Sequence, residues 1–172
     1  MNEQLILVDE KDNQTGILDK LSVHQEGLLH RAFSVFIFNS KKELLLQQRA
    51  AGKYHSSLLW SNTCCSHPLN NEIISTTIER RLEEEMGLKC NTHFAFSFIY
   101  KCHFENGLTE YELDHVYFGT SDDLPHPNPV EVKDWKYLSL EMLEKEIESN
   151  QENYSEWIKI CLPKVIQHFK NF

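Results

Sequence analysis

Ile74-Ser-Thr-Thr-Ile78-Glu-Arg-Arg-Leu82-Glu-Glu-Glu-Met86-Gly87 is the stretch on which the fold turns. Its apolar residues Ile74, Ile78, Leu82 and Met86 recur every fourth position, which draws one apolar stripe along a helix. Gly87 follows where a left-handed cap can end that helix. The spacing therefore predicts a helix over Ser75–Met86 with one buried face. Glu83, Glu84 and Glu85 crowd its last turn, where the carbonyl end of the helix dipole is already negative. That crowding is unfavourable unless a cation or ligand compensates it, so the helix asks for more than a core position.

Working outward, strands surround this helix. Leu5–Val8 is short and apolar, and a polar turn through Asp12-Asn13 makes it the first arm of a hairpin. Ala32–Phe38 is almost continuously apolar, Asn39–Lys42 turns, and Glu43–Arg49 returns as a second hairpin, buried on both faces. Phe94–Phe104 and Thr109–Phe118 flank Asn106-Gly107, a strong hairpin turn. Pro125–Pro129 reads as a loop and Trp135–Leu138 as a short strand. Leu140–Ser149 and Ser155–Phe169 read as helices, the second kinked at Pro163. Strands and helices do not alternate regularly, so the fold class is α+β, with a mixed sheet flanked by helices.

Composition narrows the function classes. The 172 residues, 41% of them hydrophobic, suit one domain with a real core. The first residues carry neither a basic start nor a long apolar run, and nowhere is there an apolar stretch able to cross a bilayer. The expectation is a soluble, cytoplasmic monomer with no membrane partner. A formal charge of -9 argues against sequence-independent nucleic-acid binding, which needs a broad cationic surface. The five cysteines Cys64, Cys65, Cys90, Cys102 and Cys161 form no Cys-x-x-Cys spacing. Adjacent Cys64 and Cys65 have Cα atoms about 3.8 Å apart, too close for an ordinary disulfide. All five are expected to be free thiols.

Candidate chemistry lies in several short segments, each with an ordinary reading beside it. A strand's period of two puts Glu110, Glu112 and Asp114 on one face, which could be the solvated face of an edge strand or a cation site. Extended backbone at Cys65-Ser66-His67 sets a thiol beside an imidazole, although a buried structural cysteine has the same signature. His24 and His30 flank Gln25–Leu29 and could each be a satisfied core histidine. Lys20, Arg49, Lys53 and Arg81 read singly as surface charge.

Ser66 through Glu72 and Arg80 to Glu84, Glu85 and Gly87 resembles the Nudix box, a loop-helix motif that places glutamates around magnesium at a diphosphate. It departs from the box at Ser66, where glycine is usual, and at Arg81, where a metal-binding glutamate is usual. Trp60-Ser-Asn-Thr-Cys-Cys-Ser-His-Pro68 and Thr109-Glu-Tyr-Glu112 are similar to the two signature segments of type I isopentenyl-diphosphate isomerases. Leu-His-Arg-Ala-Phe around His30, Gln-Gln-Arg-Ala around Arg49 and Trp157 add to the likeness, which runs over essentially the whole chain.

The resemblance implies one Nudix-like domain over residues 1–172, its mixed sheet sandwiched between helices, that interconverts isopentenyl and dimethylallyl diphosphate. It further implies Cys65 and Glu112 as the acid-base pair with Tyr100 assisting, and His24, His30, His67, Glu110 and Glu112 as ligands of one divalent ion. Three imidazoles and two carboxylates suit zinc or manganese, with magnesium also possible there. A second magnesium is implied between Glu85 and the diphosphate, with Lys20, Arg49, Lys53 and Arg81 as anion contacts and Trp157 at the substrate. The alternatives are a Nudix hydrolase of a nucleoside or isoprenoid diphosphate, kept open by Glu84 and Glu85, and a silent diphosphate-binding module.

Overall fold

Ala32–Phe38 can be apolar at consecutive positions only if both faces of its strand are covered. A computed structural model of the chain, describing residues 3–53, 55–170 and 172, shows what covers them. The elements run β1 (Gln4–Val8), β2 (Gln14–Asp19), α1 (Lys20–Glu26), β3 (His30–Phe38), β4 (Glu43–Arg49), β5 (Trp60–Ser61) and β6 (Cys64–Ser66). They continue as α2 (Ile74–Met86), β7 (Thr92–His103), β8 (Thr109–Thr120), β9 (Val132–Ser139), α3 (Leu140–Ser149) and α4 (Glu156–Phe169). The strands join in one mixed sheet with β3 at its centre. β8 runs parallel to β3 along one edge, and every other pair is antiparallel.

Side chains alternate across β3 and sort the core into two layers. Phe36 and Phe38, with Leu44, Leu46, Val116 and Phe118, pack beneath α3 and α4 through Leu143, Ile158, Cys161 and Val165. Phe33, Val35 and Ile37, with Leu45, face the α2 stripe of Ile78, Leu82 and Met86. The expected mixed sheet between helices is therefore what the chain forms. α4 continues through Pro163. Among the described residues no helix is long and apolar enough to cross a membrane.

β3 and β4 pair only at Phe38 and Leu44 and then separate. The opening is filled by Trp60–Ser66, whose short strands β5 and β6 pair with β4 and β3. Buried polar side chains pin this insert: Asn62 Nδ2 donates to the Val35 and Cys64 carbonyls at 3.2 and 2.9 Å. Thr63 Oγ1 accepts from the Ile37 N–H at 2.9 Å and donates to the Leu45 carbonyl at 2.6 Å. Neither β5 nor β6 has a periodic signal in the sequence. The seven-residue α1 is likewise too short to show one, and rests on Asp19, which accepts from the Ser22 N–H, and on left-handed Gly27.

The α2 end shows why Gly87 stands there. Its φ is +63°, and a Cβ would lie 2.5 Å from the His126 carbonyl oxygen. That approach exists because the proline-rich loop caps the helix: the N–H groups of His126 and Asn128 donate to the Met86 and Glu85 carbonyls at 2.8 and 2.9 Å. Gly107, at φ +82° in the β7–β8 turn, has nothing within 4 Å of its position for a Cβ. Gly87→Ala is therefore expected to cost more than the roughly 1–2 kcal/mol of left-handed backbone alone, while Gly107→Ala costs that strain only. Thermal unfolding of the two variants checks this, and equal losses would sink the contact argument.

Candidate active site and metal centre

Glu110, Glu112 and Asp114 lie on the same face of β8 as Val116 and Phe118, and are 4%, 8% and 1% exposed. The solvated-edge reading fails because β8 is held between β3 and β7. Register then chooses their neighbours. His30 stands opposite Glu112 on β3, and Tyr100 opposite Glu112 on β7. Tyr100 donates its hydroxyl to Glu112 Oε2 at 2.6 Å. Burial, and then the Glu112 charge, hold the phenol well above its ordinary pKa, so it stays a donor.

Three histidines converge on these carboxylates from three different elements. The α1 helix brings His24, whose Nε2 lies 3.1 Å from Glu110 Oε2. His30 starts β3, with Nε2 3.5 Å from Glu112 Oε1, and His67 follows β6, with Nε2 2.8 Å from the same oxygen. Donor atoms of His24, His30, His67 and Glu110 all lie within 4.8 Å of one another and all four residues are buried.

The hydrogen-bond chemistry of this cluster fits a divalent cation. His30 Nδ1 stands 2.9 Å from the Leu28 carbonyl, which can only accept, so the ring's proton belongs there. Its Nε2 lone pair is then aimed at carboxylate and has no hydrogen-bond partner among the described residues. His24 lies between two acceptors, the Lys20 carbonyl at 2.6 Å from Nδ1 and Glu110 at Nε2. A cation at His30 Nε2 resolves the conflict there, and backbone carbonyls on the outer nitrogens of His24 and His30 orient those two rings. The arrangement forms a buried His/Glu site compatible with a divalent metal.

Charge is compensated within the same group. Burial alone would raise the Glu110 carboxyl, but hydrogen bonds from His24 and His55 outweigh it and hold it well below the usual range. Burial and the Glu110 charge push Glu112 up, and contacts with His30 and His67 bring it below its ordinary value. Asp114 has no such partners. Burial and the charge of Glu112 drive it well up, and Ser34 donates to its Oδ2 at 2.8 Å.

Cys65 pairs with Ser34 in the β3–β6 register and lines a cavity of about 220 Å³ that Tyr100, Glu110, Glu112 and Trp157 also line. Burial pushes its thiol up to about 12, against the lowering effect of Arg49. Cys64 does not line the cavity; it packs with Phe33, Ile78 and Leu82 beneath α2. All five cysteines are unpaired, as expected.

The same cavity is lined by Lys20, Arg49, Lys53 and Arg81. Singly these looked like surface charge. Folding collects them from α1, the end of β4, the following loop and α2. Arg81 bonds Glu85 Oε1 at 2.5 Å and Glu84 at 2.8 Å, and Lys53 is paired with Glu131. Lys20 meets Glu3 at 2.8 Å, and Gln47 donates to Glu85 Oε2 at 2.9 Å. Arginines one turn back on α2 and Lys89 thus answer the glutamate crowding at the helix end. Trp157 reaches the cavity from α4, its indole N–H donating to Ser61 Oγ at 2.7 Å and the Arg49 guanidinium lying 5.1 Å from its ring centre.

His55, Gln47, Glu131 and Glu3 were not singled out in the sequence. Lone polar residues in loops and strand ends carry no periodic or spacing signal, and only the Lys-x-His run beside Lys53 could have drawn attention to His55.

Comparison with known proteins gives this arrangement relatives. The NUDIX domain pattern matches residues 28–158. Over 166 residues the chain is 52% identical to Isopentenyl-diphosphate Delta-isomerase 2 of Aromatoleum aromaticum, spanning 96% of this chain and 88% of that one. It is 44% identical over 169 residues to Isopentenyl-diphosphate Delta-isomerase of Pectobacterium atrosepticum, spanning 98% and 94%. The crystal structure of DR0079 from Deinococcus radiodurans matches with a TM-score of 0.79 over 94% of this chain and 98% of that one, at 20% identity, a likeness of fold alone. With the domain pattern over most of the sequence and relatives this similar along almost their whole length, the chain belongs to the isopentenyl-diphosphate Delta-isomerase family of NUDIX-domain proteins.

Proposed function

We propose that the chain moves the double bond of isopentenyl diphosphate, reversibly, to give dimethylallyl diphosphate, with Cys65 and Glu112 exchanging the protons. The observation that carries this reading is one cavity lined by Cys65 and Glu112 together with Lys20, Arg49, Lys53 and Arg81. The cationic wall takes the diphosphate as a handle and leaves the five-carbon alkene facing the thiol and the carboxylate.

The reaction adds a proton at the terminal alkene carbon, leaving a tertiary carbocation, and removes a proton from the carbon beside the alkoxy methylene. Two acid-base groups are needed, and reversibility makes each the acid in one direction and the base in the other. A thiol held protonated by burial suits the acid, and Tyr100 fixes the Glu112 carboxylate by its short hydrogen bond. The carbocation must be kept from water, which would trap it as an alcohol. Trp157, its indole N–H bonded to Ser61, presents an indole face that stabilises a desolvated cation by about 2 kcal/mol.

His24, His30, His67, Glu110 and Glu112 would hold one cation, and their imidazole-rich set favours zinc or manganese over magnesium. Glu85 would share magnesium with the diphosphate, since magnesium takes few protein carboxylates beside phosphate oxygens. Bound there, the two ions supply fixed positive charge to the buried carboxylates and the diphosphate. Arg81, which contacts Glu84 and Glu85 itself, supports an anion clamp in place of the extra metal-binding glutamate of a hydrolase box. We read the enzyme as a cytoplasmic monomer; the formal charge of -9 over the whole chain supports a small anionic substrate over nucleic acid.

Incubation with isopentenyl diphosphate and magnesium in deuterated water tests the reading. Proton NMR should show dimethylallyl methyl signals carrying deuterium, with no phosphate released. Phosphate release with the alkene unshifted would instead establish a hydrolase.

A further inference from the structure

His55 is a buried histidine that the proposed chemistry does not use. It stands two residues after Lys53 and lines the same cavity. Its Nε2 is 3.1 Å from Glu110 Oε1, the oxygen that His24 does not touch. A carboxylate oxygen accepts, so at this distance His55 Nε2 is the donor and Nδ1 is left facing the Ser56 hydroxyl.

Three further contacts fix the ring. It stacks on Phe104 at 4.9 Å and 19°, meets the Trp157 ring edge-on at 5.8 Å, and its Nδ1 lies 3.3 Å from Ser56 Oγ. The His55 backbone carbonyl accepts from Arg49 Nη2 at 3.3 Å. His55 is not among the four residues whose donors lie within 4.8 Å of one another, and its ring centre is 6.5 Å from that of His24. It stands one carboxylate outside the cluster, and its backbone holds Arg49.

We propose that His55 is a positioning residue that latches the diphosphate-contact segment to the metal centre: it holds Glu110 Oε1, leaves Oε2 for the histidine cluster, and through its own backbone fixes Arg49. Outer partners of this kind set the orientation of a metal-binding carboxylate, and losing one lowers metal affinity by about 10–100-fold. Here the same residue also ties down an arginine of the anion wall. One substitution should therefore weaken two sites whose ligands have no residue in common. The inference rests on the metal site proposed above.

Three proteins separate the possibilities: the native chain, His55→Phe, which keeps a ring against Phe104 but no donor, and His55→Gln, which restores an N–H. Zinc affinity is measured on each by competition with a coloured chelator, with no substrate present, and KM and kcat for isopentenyl diphosphate are measured separately. The expected result is zinc affinity lower by about 10–100-fold in His55→Phe, a raised KM, and recovery of most of both in His55→Gln. Native protein that binds zinc while His55→Phe binds it equally well overturns the role of His55 and leaves the metal site standing. Native protein that binds no zinc overturns the metal site itself. A loss in His55→Phe that His55→Gln does not recover also overturns the proposal, because the donor would then not be what matters.

Discussion

Cys65→Ala lowers kcat for isopentenyl diphosphate by about 10³-fold or more, while Cys64→Ala keeps most of the activity. Removing a positioned acid-base group costs about 10²–10⁴-fold, and an unactivated alkene is a poor base that depends on the strength and placement of its acid. The structure makes the contrast between neighbouring thiols sharp. Period-two backbone in β6 sends Cys65 into the cavity and Cys64 into the apolar layer under α2. Steady-state kinetics on the two variants, with KM measured beside kcat, checks this. KM should change little in Cys65→Ala, because the diphosphate contacts are untouched. Equal loss in both variants would mean that the wrong thiol has been assigned.

Glu112→Gln is the second large effect, and it should appear in two independent measurements. The substitution is nearly isosteric but removes the charge that faces His30 and His67, at 3.5 and 2.8 Å, and leaves one acceptor oxygen where the carboxylate offers one to the histidines and one to Tyr100. Loss of proton exchange should lower kcat by about 10³-fold. Loss of a carboxylate beside the histidine cluster should also lower zinc affinity, read by chelator competition. Tyr100→Phe serves as the control: it removes one hydrogen bond to Glu112 and keeps the charge, so kcat falls and zinc binding is retained. If Glu112→Gln binds zinc as the native chain does and keeps its rate, both roles of Glu112 are wrong.

Long, strongly patterned segments were legible before any coordinates. The α2 stripe with Gly87, the all-apolar β3, the Asn106-Gly107 hairpin and α3 are local consequences of period and turn chemistry, and each falls within a few residues of its expected place. Elements held by tertiary contacts alone were not. β5 and β6 have two and three residues and exist because Asn62 and Thr63 find partners elsewhere in the chain, while α1, capped locally by Asp19 and Gly27, has only seven residues and is too short to show a period.

The candidate site divides along the same line. The modified box and the segments around Cys65 and Glu112 were recognisable as a combination of residues, although each alone favoured an ordinary reading. Glu110, Glu112 and Asp114 read alone as a solvated edge, because a strand's own sequence cannot say whether a neighbour covers it; the parallel pairing with β3 and the long pairing with β7 bury them. His55, Glu131 and Gln47 carried no signal, since a single polar residue has no period.

By itself the sequence determined which segments are helix or strand, which faces are apolar, and that a thiol, three histidines and a box-like helix occur together in one chain. Only the tertiary structure decided that Cys65 and Glu112 line one cavity, that three histidines from α1, β3 and the end of β6 meet Glu110, and that four separate cations line that same cavity. The physical reason is that helix period and turn geometry act over a few neighbouring residues, whereas burial, charge compensation and strand register depend on groups that lie tens of residues apart along the chain.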